Sequence, residues 1–342
     1  MSDTLKPLLA KLADGINLDI EEAEKAFKII MSGDATEAQI GAFLMALRIR
    51  GETIDEITGA VLAMRSKALP AKAPPNSIDV VGTGGDGSGT FNISTAAAIV
   101  VASCGVSVAK HGNRALSSKS GAADVLSELG VNIDADLSLV ESSIREIGIG
   151  FLMAPRHHTA MKFVGPSRVQ MGVRTIFNIL GPLSNPAGVT RQFTGVFSLT
   201  WVKPMAEVLK NLNCEVSWVV HGSDGLDELT TTGISHVAQL KDNKIKTFQV
   251  SPEDAGIKVS KPEDLKGGDA KFNAKALSAL LDGEPGPYRD IVIYNAAGAL
   301  IVAGKTDNLK SGAAIAAAAI DDGKSRAVLD NWISITNADK QK

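Results

Sequence analysis

Residues 78–95, IDVVGTGGDGSGTFNIST, decide the fold class, because they join a strand-like run to a helix-like run through a loop with five glycines. The run IDVV is rich in β-branched residues, and ISTAAAIVVAS is apolar enough for a buried helix. A tight turn needs only two residues, so a loop of this length serves more than chain reversal. Glycine-rich loops between a strand and a helix commonly bind phosphate. The stretch therefore predicts an α/β fold with an anion-binding loop.

The loop also matches Gly82-x-Gly84-x-x-Gly87, the fingerprint of dinucleotide-binding folds. That fingerprint requires the helix to begin among the glycines and the next strand to end in an acid. Here the helix can begin only near Asn92, and the next predicted strand, VSVAK, ends in Lys110. A P-loop is excluded as well, because no Gly-Lys-Ser/Thr sequence follows. The loop is thus predicted to bind the phosphate of a different kind of ligand.

Polar side chains around the glycines indicate what accompanies that phosphate. Asn92, Ser94 and Thr95 place hydrogen-bond donors at the helix N-terminus, where the helix dipole attracts anions. Asp86 would repel a bare phosphate, but it suits a sugar hydroxyl or a magnesium ion. The loop therefore favours a phosphate ligand with a hydroxyl group or a metal ion beside it.

Composition and charge exclude several classes of protein. The 342 residues are 44% hydrophobic and 21% charged with a net charge of −3, which is ordinary for a globular enzyme. No polybasic segment occurs, so neither nucleic acid nor a membrane surface is an expected partner. The two cysteines, Cys104 and Cys214, lack CxxC spacing, which is typical of a reducing compartment. No leader-like or membrane-spanning run is apparent, so we expect a cytoplasmic protein.

The pattern of the chain changes near residue 70. Residues 1–70 show helical periodicity with capping signals and predict a small helical domain, which helices around 165–185 complete. The proline-rich residues 71–77 predict a linker. In residues 78–342, the predicted strands VSVAK, VNI, QFTGVFS and EVSWVVHG alternate with helices. ISHVAQL and IKTFQV predict an antiparallel hairpin, so we expect a large α/β domain whose central sheet is mixed, mainly parallel and flanked by helices.

A second polar segment, KHGNRALSSKSGAADVL, begins where the strand VSVAK ends. Lys110, His111, Asn113, Arg114 and Lys119 concentrate cations and hydrogen-bond donors there. A solvated basic loop with a serine cap would explain the composition equally well. Position favours a binding site, because ligands of open α/β sheets bind at the carboxyl ends of the strands. Two donor-rich loops follow successive strands here.

Two further segments carry chemistry. Asp227 and Glu228 are adjacent in a loop after EVSWVV, and such a pair suits Mg²⁺, which takes few protein ligands. Taken alone, the pair is more often an acidic surface turn. Arg168 and Arg174 lie in a segment broken by Gly-Pro and Asn-Pro, and an arginine can bind a substrate carboxylate in bidentate fashion. The histidines of APRHHT lack metal-ligand spacing, so no zinc site is predicted.

Together these segments resemble the anthranilate phosphoribosyltransferase family. GTGGDG, FNIST, KHGNRALSSKSGAADVL, RTIFNILGPLSNP and the DE pair stand in the family's order and spacing, and the similarity extends over nearly the whole chain. Ala122, where serine is also common, is a mild departure. The resemblance implies the fold shared with nucleoside phosphorylases, an active site in the cleft between the two domains, and a homodimer joined through the helical domain.

The resemblance also implies a reaction: anthranilate and 5-phosphoribosyl 1-diphosphate give N-(5-phosphoribosyl)anthranilate and pyrophosphate, with Mg²⁺, in tryptophan biosynthesis. Lys110 and His111 would be the catalytic residues, and no general base is implied, because an aromatic amine is largely unprotonated at neutral pH. Ser94 and Glu228 would contact one Mg²⁺, and Asp227 with Glu228 a second. Anthranilate would be bound by Gly82, Asn113, His158 and Arg168. The sugar diphosphate would be bound by Gly82, Gly85, Asp86, Thr90, Asn92, Ile93, Ser94, Thr95, Lys110, Asn113, Arg114, Ala115, Leu116, Ser117, Ser118 and Ala122.

Two other functions compete with this interpretation. A pyrimidine nucleoside phosphorylase has the same fold, but its glycine loop and the segment at KHGNR read differently, and the acidic pair argues for a metal-bound diphosphate. A nucleic-acid-binding relative that has lost catalysis should show a basic surface and a degraded acidic pair, and this sequence shows neither.

Overall fold

A computed structural model describes residues 4–115 and 119–338, and a mixed seven-stranded sheet runs through them. The strands are β1 (Ile78–Gly82), β2 (Val108–Gly112), β3 (Ile149–Met153), β4 (Arg191–Gly195), β5 (Val216–Gly222), β6 (Ser235–Lys241) and β7 (Lys244–Val250). Their spatial order is β3-β2-β1-β4-β5-β6-β7. The first five are parallel to one another, and β6 and β7 add an antiparallel hairpin to β5. The predicted mixed, mainly parallel sheet is confirmed.

Helices precede the sheet, cross between its strands and close the chain. The N-terminal four are α1 (Lys6–Ala13), α2 (Ile20–Ser32), α3 (Glu37–Arg50) and α4 (Ile54–Ser66). Those between strands are α5 (Ile93–Ser103), α6 (Ala122–Glu128), α7 (Leu137–Ile147), α8 (Ala154–His157), α9 (Gly165–Met171), α10 (Phe177–Leu183) and α11 (Val202–Asn211). The C-terminal ones are α12 (Ala270–Leu281), α13 (Pro287–Val302), α14 (Leu309–Asp321) and α15 (Lys324–Thr336).

One predicted strand is wrong and another was missed. Residues 131–133, VNI, form no strand, because the N–H of Val131 turns back to the last turn of α6 and Asn132 donates to Thr336 O at 3.0 Å. The strand beside β2 is instead β3, the run IGFLM, which begins directly after a left-handed Gly148 at the end of α7. A short apolar run with a helix immediately before it carries little periodicity by which to recognise a strand.

The N-terminal helices begin at side-chain caps and bury apolar faces. Asp19, Thr36 and Thr53 each accept a hydrogen bond from the N–H three residues later, and Glu or Gln at that position reaches back. The apolar faces of these helices share one core with α10, α11 and one face of the sheet. Residues 71–77 contain no helix or strand. In residues 4–115 and 119–338, no helix combines the length and apolar character needed to cross a bilayer.

The fold brings three loops to one edge of the sheet. The glycine loop (residues 83–90) follows β1, the basic loop (residues 113–121) follows β2, and the acid pair (Asp227 and Glu228) follows β5. Because these strands are parallel, their carboxyl ends lie at the same edge. The sheet therefore places the polar segments singled out in the sequence around a common space.

Candidate active site

The acid pair lies against the end of β1, and two glycines make room for it. Gly82 of β1 and Gly195 of β4 are partners in the parallel register. A methyl group on Gly195 would overlap the backbone carbonyl of Asp227, and one on Gly82 would overlap its carboxylate. Any side chain at either position would push the acid pair away from the glycine loop. Gly82 was predicted as a site residue, whereas Gly195 was not.

Backbone donors of the glycine loop and of α5 hold the acid pair. The N–H of Gly84 donates to Asp227 Oδ2 at 2.6 Å, and the N–H of Ser94 donates to Glu228 Oε1 at 3.1 Å. Hydrogen bonds from backbone N–H groups to carboxylates are among the stronger ones in proteins. Backbone N–H groups thus position one oxygen of each carboxylate.

A buried asparagine holds the chain just behind the acid pair. Asn295 of α13 is fully buried; its Oδ1 accepts the N–H of Leu229 at 2.9 Å, and its Nδ2 donates to Leu229 O at 2.9 Å. The backbone N–H and C=O of Leu229 are therefore both hydrogen-bonded inside the protein. Asn295 was not predicted, because its only signal is a contact between distant segments.

Burial and neighbouring carboxylates oppose the ionisation of the acid pair. Burial and the charge of Asp86 raise the pKa of Asp227 to about 7. Burial and the neighbouring Asp227 raise the pKa of Glu228 well above its usual value. Burial lowers the pKa of Lys110, and the carboxylates of Asp79, Glu228 and Asp227 oppose that shift. Two neighbouring carboxylates whose ionisation is opposed by burial and by each other are a fitting site for a cation.

These residues fit a magnesium ion that brings its own partners. Carboxylate oxygens are the ligands that Mg²⁺ prefers, and it usually keeps water and substrate phosphate in its shell. Over residues 4–115 and 119–338, no three His, Cys, Asp or Glu side chains gather so as to hold a metal by themselves. If Mg²⁺ binds here, the acid pair would provide part of its coordination shell, and a phosphate ligand would complete it.

Lys110 lies within β2 and points across β1. Its Nζ donates to Val80 O at 2.6 Å and to Ser94 Oγ at 3.4 Å, and only 1% of the residue is exposed. The next residue, His111, donates its N–H to the buried Asp79, whose pKa burial raises to about 6. A buried ammonium group beside the N-terminus of α5 concentrates positive charge where a phosphate would bind.

The glycine loop is backed by a segment that was not predicted, residues 265–268. The N–H of Phe91 donates to Leu265 O, and the N–H of Gly267 donates to Gly89 O. Lys266 Nζ donates to Ser88 O, and Asp86 accepts two hydrogen bonds from Ser88 on the other side of the loop. These contacts give a loop of small residues a defined path. No local pattern in the sequence indicates this partner.

The basic loop turns around a single carboxylate. Asp124 in the first turn of α6 accepts the N–H groups of Ala115 and Gly121, each at 2.9 Å. The guanidinium of Arg114 also donates to Asp124 at 3.1 Å, and half of its side chain is exposed. Asn113 Oδ1 accepts the N–H of Arg114, and Ala122 begins α6. Leu116, Ser117 and Ser118, which were predicted to bind the sugar diphosphate, lie outside the described residues.

The side of the site toward the N-terminal helices has a different character. The rings of His111 and His158 meet edge to face at 5.2 Å, and both residues are buried. Burial, together with the other histidines nearby, lowers the pKa of His111 to about 3 and that of His158 to about 4. His111 Nδ1 lies 3.1 Å from Gly181 O and must donate to it, so the neutral ring carries its proton there. Both rings are neutral at physiological pH.

The two arginines of the fourth segment have separate positions. Arg168 of α9 is half-buried, and its guanidinium lies 5.3 Å from the centre of the Phe177 ring. Burial lowers the pKa of Arg168, and within residues 4–115 and 119–338 its guanidinium makes no hydrogen bond. Arg174 lies over the ring of Phe197 and donates to the carbonyl of Gly85 in the glycine loop. Arg174 thus supports the glycine loop, whereas the guanidinium of Arg168 lacks a hydrogen-bonding partner among the described residues.

A glycine loop that holds a buried acid pair at the carboxyl ends of parallel strands is typical of an enzyme that acts on a phosphorylated ligand. Residues 6–68 match the glycosyl transferase family, helical bundle domain, and residues 74–326 match the glycosyl transferase family, a/b domain. The chain is 63% identical over 334 residues to the anthranilate phosphoribosyltransferase of Azospirillum brasilense, a match that covers 98% of this chain and 94% of that protein.

Solved structures agree with the sequence comparison. The crystal structure of anthranilate phosphoribosyltransferase from Thermus thermophilus is 41% identical, with a TM-score of 0.92 over 96% of this chain and 99% of the other. The Saccharomyces cerevisiae enzyme, solved in complex with PRPP and Mg, is 28% identical, with a TM-score of 0.90 over 99% of both chains. The chain belongs to the anthranilate phosphoribosyltransferase family.

Proposed function

We propose that this chain transfers the 5-phosphoribosyl group from 5-phosphoribosyl 1-diphosphate to the amine of anthranilate, in tryptophan biosynthesis. The observation that carries the proposal is the acid pair held by N–H groups of the glycine loop and α5, beside the buried Lys110. This arrangement suits a metal-bound diphosphate, and the yeast relative with PRPP and Mg has the same fold.

The acid pair and Ser94 would hold Mg²⁺. One or two ions per subunit are proposed, with Ser94 and Glu228 contacting one and Asp227 with Glu228 a second. When bound, the metal neutralises negative charge on the diphosphate. The chain's own contribution is the placement of the carboxylates, which Gly82, Gly195 and the N–H groups of Gly84 and Ser94 fix.

The remaining groups of this side bind the leaving group. As the bond between C1 of ribose and the diphosphate breaks, its electron pair stays with the departing pyrophosphate. The ammonium of Lys110, which hydrogen bonds to Val80 O and Ser94 Oγ hold in place, and the donors at the start of α5 would stabilise that charge. The residues proposed to hold the sugar diphosphate are those that the sequence predicted, from Gly82 to Thr95 and from Lys110 to Ala122.

Anthranilate would be held by Gly82, Asn113, His158 and Arg168, with His111 beside them as a catalytic residue together with Lys110. Arg168 would bind the carboxylate, because its guanidinium is desolvated and has no partner of its own among the described residues. The neutral rings of His111 and His158 would contact the aromatic ring. The free amine attacks C1 directly, and its surplus proton leaves to solvent, so the site needs orientation more than a base.

Turnover gives the direct test. Purified protein with anthranilate, 5-phosphoribosyl 1-diphosphate and Mg²⁺ should consume anthranilate fluorescence and release an equal amount of pyrophosphate. Omission of Mg²⁺ should abolish both signals. Absence of turnover, together with phosphorolysis of thymidine or uridine, would establish a nucleoside phosphorylase instead.

We also propose the organisation in which the enzyme works. Residues 1–70 with the helices around 165–185 would form the helical domain, residues 71–77 the linker and residues 78–342 the α/β domain. The helical domain is supported by the hydrophobic core that the first four helices share with α10. A homodimer joined through the helical domain and a cytoplasmic location complete the proposal, and analytical ultracentrifugation tests the dimer.

A further inference from the structure

Asn273, in the first turn of α12, lies just outside the site described above. Only 1% of it is exposed, and its amide makes a hydrogen bond at each end. Its Nδ2 donates to Asn92 Oδ1 at 2.9 Å, and its Oδ1 accepts the N–H of Gly268 at 2.8 Å. A buried amide with both ends occupied can adopt only one orientation. Asn273 therefore imposes its own orientation on Asn92.

The side chain of Asn92 is fixed from two directions. Its Oδ1 also accepts Ser120 Oγ at 3.3 Å, and its Nδ2 donates to Ser120 O at 3.4 Å. The oxygen thus receives two donors, whereas one of the two N–H bonds of the amide has no acceptor in residues 4–115 and 119–338. Asn92 is half-exposed at the start of α5, so that N–H is available to a ligand. The opposite orientation would present an oxygen, which repels an anion.

The same contacts join three segments of the site. Gly268 follows Gly267, whose N–H donates to the glycine loop at Gly89, and Ser120 belongs to the basic loop. Tyr288 adds a hydrogen bond from its hydroxyl to Asn92 O at 3.3 Å. Asn273 is thus placed where it can align the glycine loop, the start of α5 and the basic loop without touching the ligand.

We propose that Asn273 is a positioning residue for the sugar diphosphate, because it holds the Asn92 amide with an N–H toward the phosphate. The inference rests on the proposed function, in which Asn92 contacts this substrate. It predicts an effect on one substrate and not on the other, since Asn273 makes no hydrogen bond to His111, His158 or Arg168 among the described residues.

Asn273→Asp provides the test, because it preserves size and the bond to Gly268 but replaces the donor to Asn92 with an acceptor. Asn92 must then turn its NH₂ group toward Asp and its oxygen toward the ligand. We expect the Kd for 5-phosphoribosyl 1-diphosphate with Mg²⁺, measured by calorimetry without anthranilate, to rise about tenfold. The KM for anthranilate and kcat at saturating substrate should stay within about twofold.

Two comparisons separate positioning from a merely structural role. Asn273→Ala loses both hydrogen bonds but introduces no repulsion, so positioning requires the Asp variant to bind the sugar diphosphate more weakly than the Ala variant. A structural role requires the reverse order. Asn132→Asp is the matched control, since it loses an Nδ2 donation to Thr336 O and keeps its Oδ1 bond to the N–H of Asp134.

The outcomes are distinct. An unchanged Kd for the Asp variant, or equal changes for both substrates, overturns the inference, and the unfolding temperature of each ligand-free variant shows whether it is folded. Wild-type protein that binds the sugar diphosphate but leaves anthranilate unchanged would refute the proposed function while the Kd comparison still decides the role of Asn273.

Discussion

The acid-pair side of the site and its aromatic side differ in how their residues are held. The acid pair and Lys110 are ionisable, buried and tied by hydrogen bonds to the backbone. The aromatic side comprises His111, His158 and Arg168, which are proposed to surround anthranilate. Its histidine rings are neutral, and its guanidinium has no hydrogen-bonding partner among the described residues. The acid-pair side is therefore preorganised by hydrogen bonds within the protein, whereas on the aromatic side the N–H groups of Arg168 are unpaired among the described residues.

This difference follows from what each ligand needs. A diphosphate with a metal must be matched by fixed charges and N–H groups, because charges that have to rearrange cost free energy at the moment of reaction. A planar aromatic acid needs an apolar surface and one charged partner for its carboxylate. Substitutions should therefore act on kcat on the first side and on the KM for anthranilate on the second.

The largest effect is expected from the acid pair. Glu228→Gln keeps the shape but removes the charge, so we expect kcat to fall about 100-fold to 1,000-fold, as when other electrostatic groups of active sites are lost. Steady-state rates over a series of Mg²⁺ concentrations measure it. Asp242→Asn is the control, because Asp242 is an exposed hairpin residue with φ 51°, a backbone angle that asparagine tolerates. A loss of similar size in the control would break the contrast.

A smaller effect, confined to the other side, is expected from Arg168→Ala. A hydrogen bond to a charged group is worth about 1.5–3 kcal/mol, so the KM for anthranilate should rise about 10-fold to 100-fold. The KM for the sugar diphosphate should stay within about twofold. Equal effects on both substrates would show that Arg168 supports the whole cleft and would remove its proposed role.

The neutral histidines make a prediction about stability. Because burial lowers the pKa of His158 to about 4, the folded chain resists a proton that the unfolded chain accepts below about pH 6.5. Stability from this group is complete above about pH 6.5 and is lost as the pH falls toward 4. At about pH 5 the loss amounts to about 2 kcal/mol.

Urea unfolding at about pH 7 and about pH 5 measures that loss. His158→Asn should reduce the stability difference between the two pH values by about 2 kcal/mol. His236→Asn, on the half-buried face of the β6–β7 hairpin, serves as the control. If both variants keep the full difference, the histidine is protonated in the folded protein and the aromatic side is not neutral.

Local patterns in the sequence revealed the residues of the acid-pair side that would meet the ligand. The tertiary structure was needed to find the residues that hold them in place. The glycine loop, Lys110 and the acid pair stand out because each combines unusual residues within a few positions. Asn295, Asp124 and residues 265–268 were missed, since each acts through contact with a distant segment. The neutrality of His111 and His158 was equally hidden, because burial is a property of the packed chain.

Arg174 supports the glycine loop from outside the acid pair, and its substitution should have the smallest effect. Its planar guanidinium lies 4.3 Å from the centre of the Phe197 ring while it donates to Gly85 O. Lysine cannot stack flat and donate in that direction together. Arg174→Lys should therefore loosen the glycine loop and raise the KM for the sugar diphosphate about threefold to tenfold.

The KM for anthranilate should stay unchanged, because Arg174 makes no hydrogen bond or ring contact with Arg168 or His158 in the described residues. Arg145→Lys is the matched control, an exposed arginine of α7 that pairs with Glu146. If Arg174→Lys raises the anthranilate KM and leaves the sugar diphosphate unaffected, Arg174 belongs to the aromatic side. The hydrogen bond from Arg174 to Gly85 O would then connect the anthranilate-binding residues to the glycine loop, and it would not be needed for binding of the sugar diphosphate.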